Sequence, residues 1–258
     1  QFKFNKIFNK KNILLKKKIK KVYLDKNNFV NDLKSQINLK NYKIHSLKLV
    51  SFFNESQNFT MTINSTNNYN KVMTLYSSKA KPLIKNYKFI KGFEEGSLDF
   101  YSTKKNNISN SVLKIYDFKL KELPVLTKIL TLASLQGIAD LLSGEGIRFS
   151  DFEMNFSNKG EMINIDEIYA IGPAISVLMN GYIKKDKLVS LRGTLVPATT
   201  INKTIGSIPI LGDILVGKKI GEGVFGVSFK IKGPPKNLET TVNPIKTLTP
   251  RFITRTLE

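Results

Sequence analysis

The stretch GSIPILGDILVGKKIGEGVFGVSFKIKG, Gly206 to Gly233, contains two glycine patterns that could cradle a phosphate. Gly212 to Lys219 reads G-x-x-x-x-G-K-K, one residue away from a phosphate-binding loop of nucleotide hydrolases. That loop ends in a hydroxyl residue that holds magnesium, and Lys219 has none. Gly221 to Gly226 reads G-E-G-V-F-G, the glycine spacing of a protein-kinase phosphate loop. Too little chain follows it to supply a catalytic loop and a metal-binding Asp-Phe-Gly. The glycines are read instead as a turn into a strand, where backbones approach closely.

Other reactive residue types are sparse. The chain has no cysteine, which excludes a disulfide framework, a thiolate metal site and a cysteine nucleophile. Its one histidine, His45, sits in the run KIHSLKL without an acidic neighbour. No G-x-S-x-G elbow is present. The carboxylates Asp151, Glu153, Asp166 and Glu167 fall on the polar sides or ends of alternating runs, where solvation accounts for them. No cofactor and no metal site is expected, and the chain is not read as an enzyme.

The elements that would position such groups come in short runs. From about 43 to 118, segments such as KIHSLKLVSFF, FTMTINS, KVMTLYS and SVLKIYDFKL are rich in β-branched and aromatic residues and are separated by Asn, Ser and Gly. The period then changes. In LPVLTKILTLASLQGIADLLSGEG, Leu123 to Gly146, Leu126, Ile129, Leu130, Ile138 and Leu141 recur at helical spacing behind Pro124. This predicts one apolar helix over 124–142, ended by Gly144 and Gly146. Strands resume: Phe152, Met154 and Phe156 alternate with polar residues, Ile163 and Ile165 share a face, and so do Val227, Phe229 and Ile231. The segment with Ile208, Ile210, Leu211, Ile214 and Leu215 reads as short apolar helix, and a short terminal helix closes the chain. The one-sided strands must bury their apolar faces in a second layer, as in a sandwich, or hold something apolar there. Strict β-α-β alternation is absent, which argues against a doubly wound sheet.

Charge adds a partner question. The 258 residues carry 41 Lys+Arg against 20 Asp+Glu, a formal net charge of +21. The excess is almost all lysine, beside abundant asparagine. Arginine, the bidentate reader of phosphate and guanine, is limited to Arg148, Arg192, Arg251 and Arg255. Residues 1–40 read as a basic Lys/Asn-rich segment, and FKFNKIFNKK interleaves lysine with aromatics as single-strand binders do. No zinc-finger, helix-turn-helix or RNA-binding signature accompanies it, so no nucleic-acid partner is expected. An anionic membrane surface is the other anion in view. The chain opens on Gln1, so a translated start, and any leader or anchor, is expected upstream.

The order of motifs resembles one family. LASLQGIADLLSGEGIRFSDF is followed by IYAIGPAISVLMNGYI, then LRGTLVPATTINKTIGSIPILGDILVG, then GEGVFGVSFKIKGPPKNLETTVNPIKTLTPRF. Together they resemble the C-terminal domain of the AsmA-like superfamily, YhdP type, over roughly Phe89 to Phe252. Pro197, Pro209, Gly212, Gly217, Gly221, Gly223, Asn243 and Pro244 are its motif turns. The resemblance implies a β-rich α+β fold: a curved, mostly antiparallel sheet forming an open groove, with two or three short apolar helices at its end. It divides the chain into the basic segment 1–40, a β-rich groove segment 41–122 and a C-terminal groove module 123–258. It implies a non-enzymatic, periplasmic module of the bacterial envelope, anchored to the inner membrane through an upstream region. It implies a module that conducts phospholipid between the membranes, with phospholipid, bacterial membranes and other envelope proteins as its expected partners. Phe152, Met154, Phe156, Ile163, Ile165, Val227, Phe229 and Ile231 would line the groove. The two apolar helical segments would cap it or touch membrane. A scaffold for assembling outer-membrane proteins is the alternative within the envelope, and a basic nucleic-acid binder the alternative outside it.

Overall fold

The computed structural model describes residues 12–66, 70–84, 92–121, 123–197 and 224–248. The strands are β1 (Asn12–Tyr23), β2 (Phe29–Lys40), β3 (Lys43–Phe52), β4 (Asn58–Ser65), β5 (Asn70–Ser77), β6 (Phe93–Lys105) and β7 (Ile108–Leu120). They continue as β8 (Ile147–Lys159), β9 (Met162–Ile171), β10 (Ile175–Lys184), β11 (Leu188–Pro197), β12 (Val224–Gly233) and β13 (Glu239–Leu248). The helices are α1 (Lys81–Ile84), α2 (Pro124–Leu132) and α3 (Gln136–Ser143).

All thirteen strands form one antiparallel sheet in sequence order, and β1 does not pair with β13, so the sheet is open. Every neighbour in the sheet is a neighbour in the chain. No strand crosses over another, and the described connections are hairpins except for the helical ones after β5 and β7. At the β2–β3 turn Asn41 and Tyr42 both take positive φ, the two-residue geometry whose twist matches the flanking strands. Asn106 and Asp186, at later turns, also take positive φ, which Asn and Asp tolerate better than most residues. The basic segment is part of this sheet: Asn12–Lys40 supplies β1 and β2, which pair in register from Asn12↔Lys40 to Tyr23↔Phe29. The first residues, including the whole Lys/aromatic run, lie outside the described residues, as does the terminal helix expected from the sequence.

The two ends of the strands differ. Among the described residues one end carries only hairpin turns: β2–β3, β6–β7, β8–β9, β10–β11 and β12–β13. The other carries α1 between β5 and β6, and α2 with α3 between β7 and β8. At this helical end β6, β7 and β8 slip phase together. Ile115 and Leu98 face the apolar side, and strict alternation would bring Asp117 and Gly96 in after them. Positive φ at Glu95, Gly96 and Asp117 shifts the pattern instead. At Gly96 a Cβ would stand 2.9 Å from the Phe118 Cβ, so glycine is needed there for space as well as for φ. The slip turns Phe93, Phe118 and Phe149 inward as a stack, with ring centroids 5.4 and 5.3 Å apart. They are 5%, 2% and 2% exposed.

The helices close over this aromatic end. Leu126, Ile129, Leu130, Ala139 and Leu142 join Phe93, Phe118, Phe149, Ile175, Leu195 and Phe229 in one buried cluster. α2 starts beside β7 and reaches β13, six strands on, or about 29 Å across a flat sheet. A nine-residue helix is only about 14 Å long. Curling of the sheet toward its apolar face makes up the difference.

The single helix expected over 124–142 is two. The Leu135 N–H donates to the Leu130 carbonyl and the Ser134 N–H to the Thr131 carbonyl. Ser134 takes φ 59. This is the hydrogen-bond pattern of a Schellman stop, with serine where glycine is usual. Ser134→Gly is expected to stabilise the protein by about 0.5 kcal/mol, because it relieves the left-handed serine more than it frees the unfolded chain. Ser134→Val is expected to destabilise it by about 1–2 kcal/mol. Urea titrations of both variants check this. Equal midpoints would contradict the broken-helix geometry.

Candidate functional site

Register makes the apolar positions continuous. One row runs directly across paired residues: Ser35, Leu49, Met61, Leu75, Phe100, Leu113, Met154, Ile168, Met179, Gly193, Phe229 and Val242. The row beside it passes Ile37, Leu47, Ile63 and Met73, then Ser102 and Ser111, then Phe156, Ile165, Gly181, Leu191 and Ile231. Ser102 and Ser111 satisfy one another at 2.9 Å between hydroxyls, so the polar interruption presents few free hydrogen-bonding groups. From β2 to β13 this apolar strip is roughly 50 Å long at ordinary strand spacing.

The opposite face is polar along the same strands. Thr62 and Thr74 bond across it at 2.7 Å, and the Arg192 guanidinium donates to Asn180 at 3.2 Å. Lys114 and Glu153 form an ion pair at 2.8 Å, and Asn155 donates to the same carboxylate. Burial pushes the Glu153 carboxyl up, but the hydrogen bonds from Lys114 and Asn155 and the lysine charge outweigh it and hold it below its ordinary value. The bond to Glu153 raises the Lys114 ammonium. Burial raises the Tyr169 hydroxyl beside them. Glu153 is thus a structural carboxylate. Among the described residues no group of three or more His, Asp or Glu could hold a metal ion, His45 included.

All eight residues read from the sequence as lining lie on the apolar face, and they divide by burial. Ile165, Val227, Phe229 and Ile231 are 6% exposed or less. Phe152, Met154, Phe156 and Ile163 are half-buried. The first set packs as core of the C-terminal half, where the Phe229 ring lies over Gly193: a Cβ there would stand 2.6 Å from the ring. The second set, with Leu49, Met61, Leu75, Phe100 and Leu113, forms the accessible floor.

Other expectations change. Leu126, Ile129 and Leu130 are 7%, 2% and 0% exposed against the sheet. They cap the groove end, and the membrane-contact role considered for them does not fit that burial. Among the described residues no helix is long and apolar enough to cross a membrane. The side chains of Ile138 and Leu141 lie outside the described residues, as do Ile208, Pro209, Ile210, Leu211, Gly212, Ile214, Leu215, Gly217, Gly221 and Gly223. Pro197, Asn243 and Pro244 are strand residues, not turns. Pro197 ends β11 opposite Ile175, and Asn243 and Pro244 lie in β13 opposite Ser228 and Val227. β13 is the last strand of the sheet among the described residues, and an edge strand tolerates a proline without a ladder donor. The sequence reading missed Phe93, Phe118 and Phe149. The available signal was the three-residue step from Phe149 to Phe152, which breaks alternation.

Two measurements follow from this division. Phe229→Ala is expected to cost about 3–5 kcal/mol, as for a filled core position, and Phe156→Ala clearly less; equal losses in urea unfolding would mean that the floor is core. Glu153 has a lowered folded-state pKa, so its stabilisation is present above the pKa of unfolded glutamate and is lost as pH falls through the folded value. Glu153→Gln is expected to lower stability by under about 1 kcal/mol at pH 7, with the gap to the parent closing on acidification. A gap unchanged down to acid pH would contradict the pairing.

The chain matches no protein family, no curated protein and no solved structure.

Proposed function

We propose that this chain is a non-enzymatic module of a bacterial envelope protein that holds phospholipid acyl chains on the apolar face of its sheet and conducts them along it. One observation carries the reading: an apolar strip continuous in register across the sheet, with a half-buried floor in β3–β8. A strip of this extent marks an apolar ligand or membrane site. Each acyl methylene moved onto it from water contributes about 0.8 kcal/mol, so a single chain is held firmly while no one contact fixes its position. An upstream anchor and a periplasmic location belong to the same proposal.

The scaffold alternative requires open strand edges that recruit partner strands. β1, the first strand among the described residues, carries Lys16, Lys17, Lys18, Lys20 and Lys21, on both faces, and lysine on an unpaired side opposes strand addition. β13 carries Pro244, which lacks a ladder donor. Both features favour the lipid reading.

A photo-crosslinking side chain placed at Met154 or Phe156, in cells, is expected to capture phospholipid. The same group at Asn155, on the polar face of the same strand, is expected to capture none. Equal capture on both faces, or none at Met154 and Phe156, would overturn the proposal.

A further inference from the structure

Charge is distributed unevenly between the two ends of the strands. At the helical end acids answer bases: Lys121 pairs with Glu94 at 3.3 Å and Arg148 with Glu95 at 2.9 Å, with Glu55 and Glu145 also there. At the hairpin end lysines gather at the β2–β3, β6–β7, β8–β9 and β10–β11 turns. Lys43, Lys104, Lys105, Lys159, Lys184 and Lys185 are all exposed. The acids of this end are Glu161, Asp186 and Glu239, and Glu161 is engaged by Lys187 at 3.0 Å. Between the lysines stand exposed apolar groups. Tyr42, at a turn, is 74% exposed, and Ile108, at the start of β7, is 41% exposed.

We infer that this hairpin edge docks on an anionic phospholipid membrane surface, with the lysines against the headgroups and Tyr42 and Ile108 at their level. Lysines within a few ångströms of such a surface add attraction one by one, and aromatic and aliphatic tips partition into the headgroup layer. The β2–β3, β6–β7, β8–β9 and β10–β11 turns lie along one edge of one sheet, so their charges act on one surface together. The composition favours a membrane over nucleic acid. Arg148 lies at the opposite end and Arg192 is bonded to Asn180 on the outer face, so among the described residues no arginine stands at this edge for bidentate phosphate contacts; Arg251 and Arg255 lie outside the described residues. The docking concerns a different surface from the apolar groove and stands or falls separately from lipid content.

The test is flotation of the 258-residue chain with vesicles of phosphatidylcholine, with and without phosphatidylglycerol. Binding is expected only with phosphatidylglycerol and is expected to vanish at about 0.5 M salt. The triple variant K104E/K105E/K184E is expected to lower the partition coefficient roughly 100-fold. K16E/K18E/K20E on β1 makes the same change in net charge and is expected to lower it only several-fold. Circular dichroism verifies that both remain folded; if the rim triple unfolds, the single variants K105E and K184E, at exposed turn positions, are each expected to show a several-fold loss. Equal losses from rim and β1 variants would overturn the inference by reducing it to net charge. Unchanged vesicle binding in the rim variants, or binding of duplex DNA without binding of vesicles, would also overturn it.

Discussion

The structure depends on one constraint: the apolar face of a sheet this broad is larger than the three short helices among the described residues can cover. A two-layer domain buries such a face under a second sheet or a row of helices. Here α2 and α3 cover the end marked by Phe93, Phe118 and Phe149, and the rest of the face runs on as a half-buried strip. Local pairing produces this. Each strand pairs with its chain neighbour, so register passes from turn to turn, and a slip of one residue anywhere would turn the downstream apolar set to the wrong side.

Stability and openness are divided along the strip. In the C-terminal half Leu195 and Val227 are fully buried, and Phe229 packs over Gly193. That half, with its helical cap, anchors the fold. Toward β3–β8 the same rows remain accessible, with flexible Met61, Met73 and Met154 among them. Methionine adapts to irregular apolar partners, which is compatible with the proposed acyl-chain surface. The lysines on β1 lie on both faces of the first described strand, while those at the hairpin turns stand at one end of the strands.

The sheet was legible in the sequence because alternation survived in most strands: Phe152, Met154 and Phe156 lie on the face that their spacing predicts. Three features were hidden by local exceptions. The phase slip at Gly96 and Asp117 needs three strands at once, and no single strand announces it. The break between α2 and α3 falls on Ser134, a residue without the usual glycine signal. The basic opening segment reads as solvated because lysines occupy both faces of β1, yet β1 is held in place by the β2 ladder and not by burial. Which apolar residues are core and which are floor also escaped the sequence, because alternation sets a side chain's face and not what covers it.

Native mass spectrometry of the chain released gently from bacterial membranes tests the central claim most directly. The account predicts mass increments matching phospholipids, reduced when charged residues replace Met154 and Phe156 while the protein stays folded. A protein that emerges at its bare mass, with no lipid increment under conditions that preserve its fold, would contradict it.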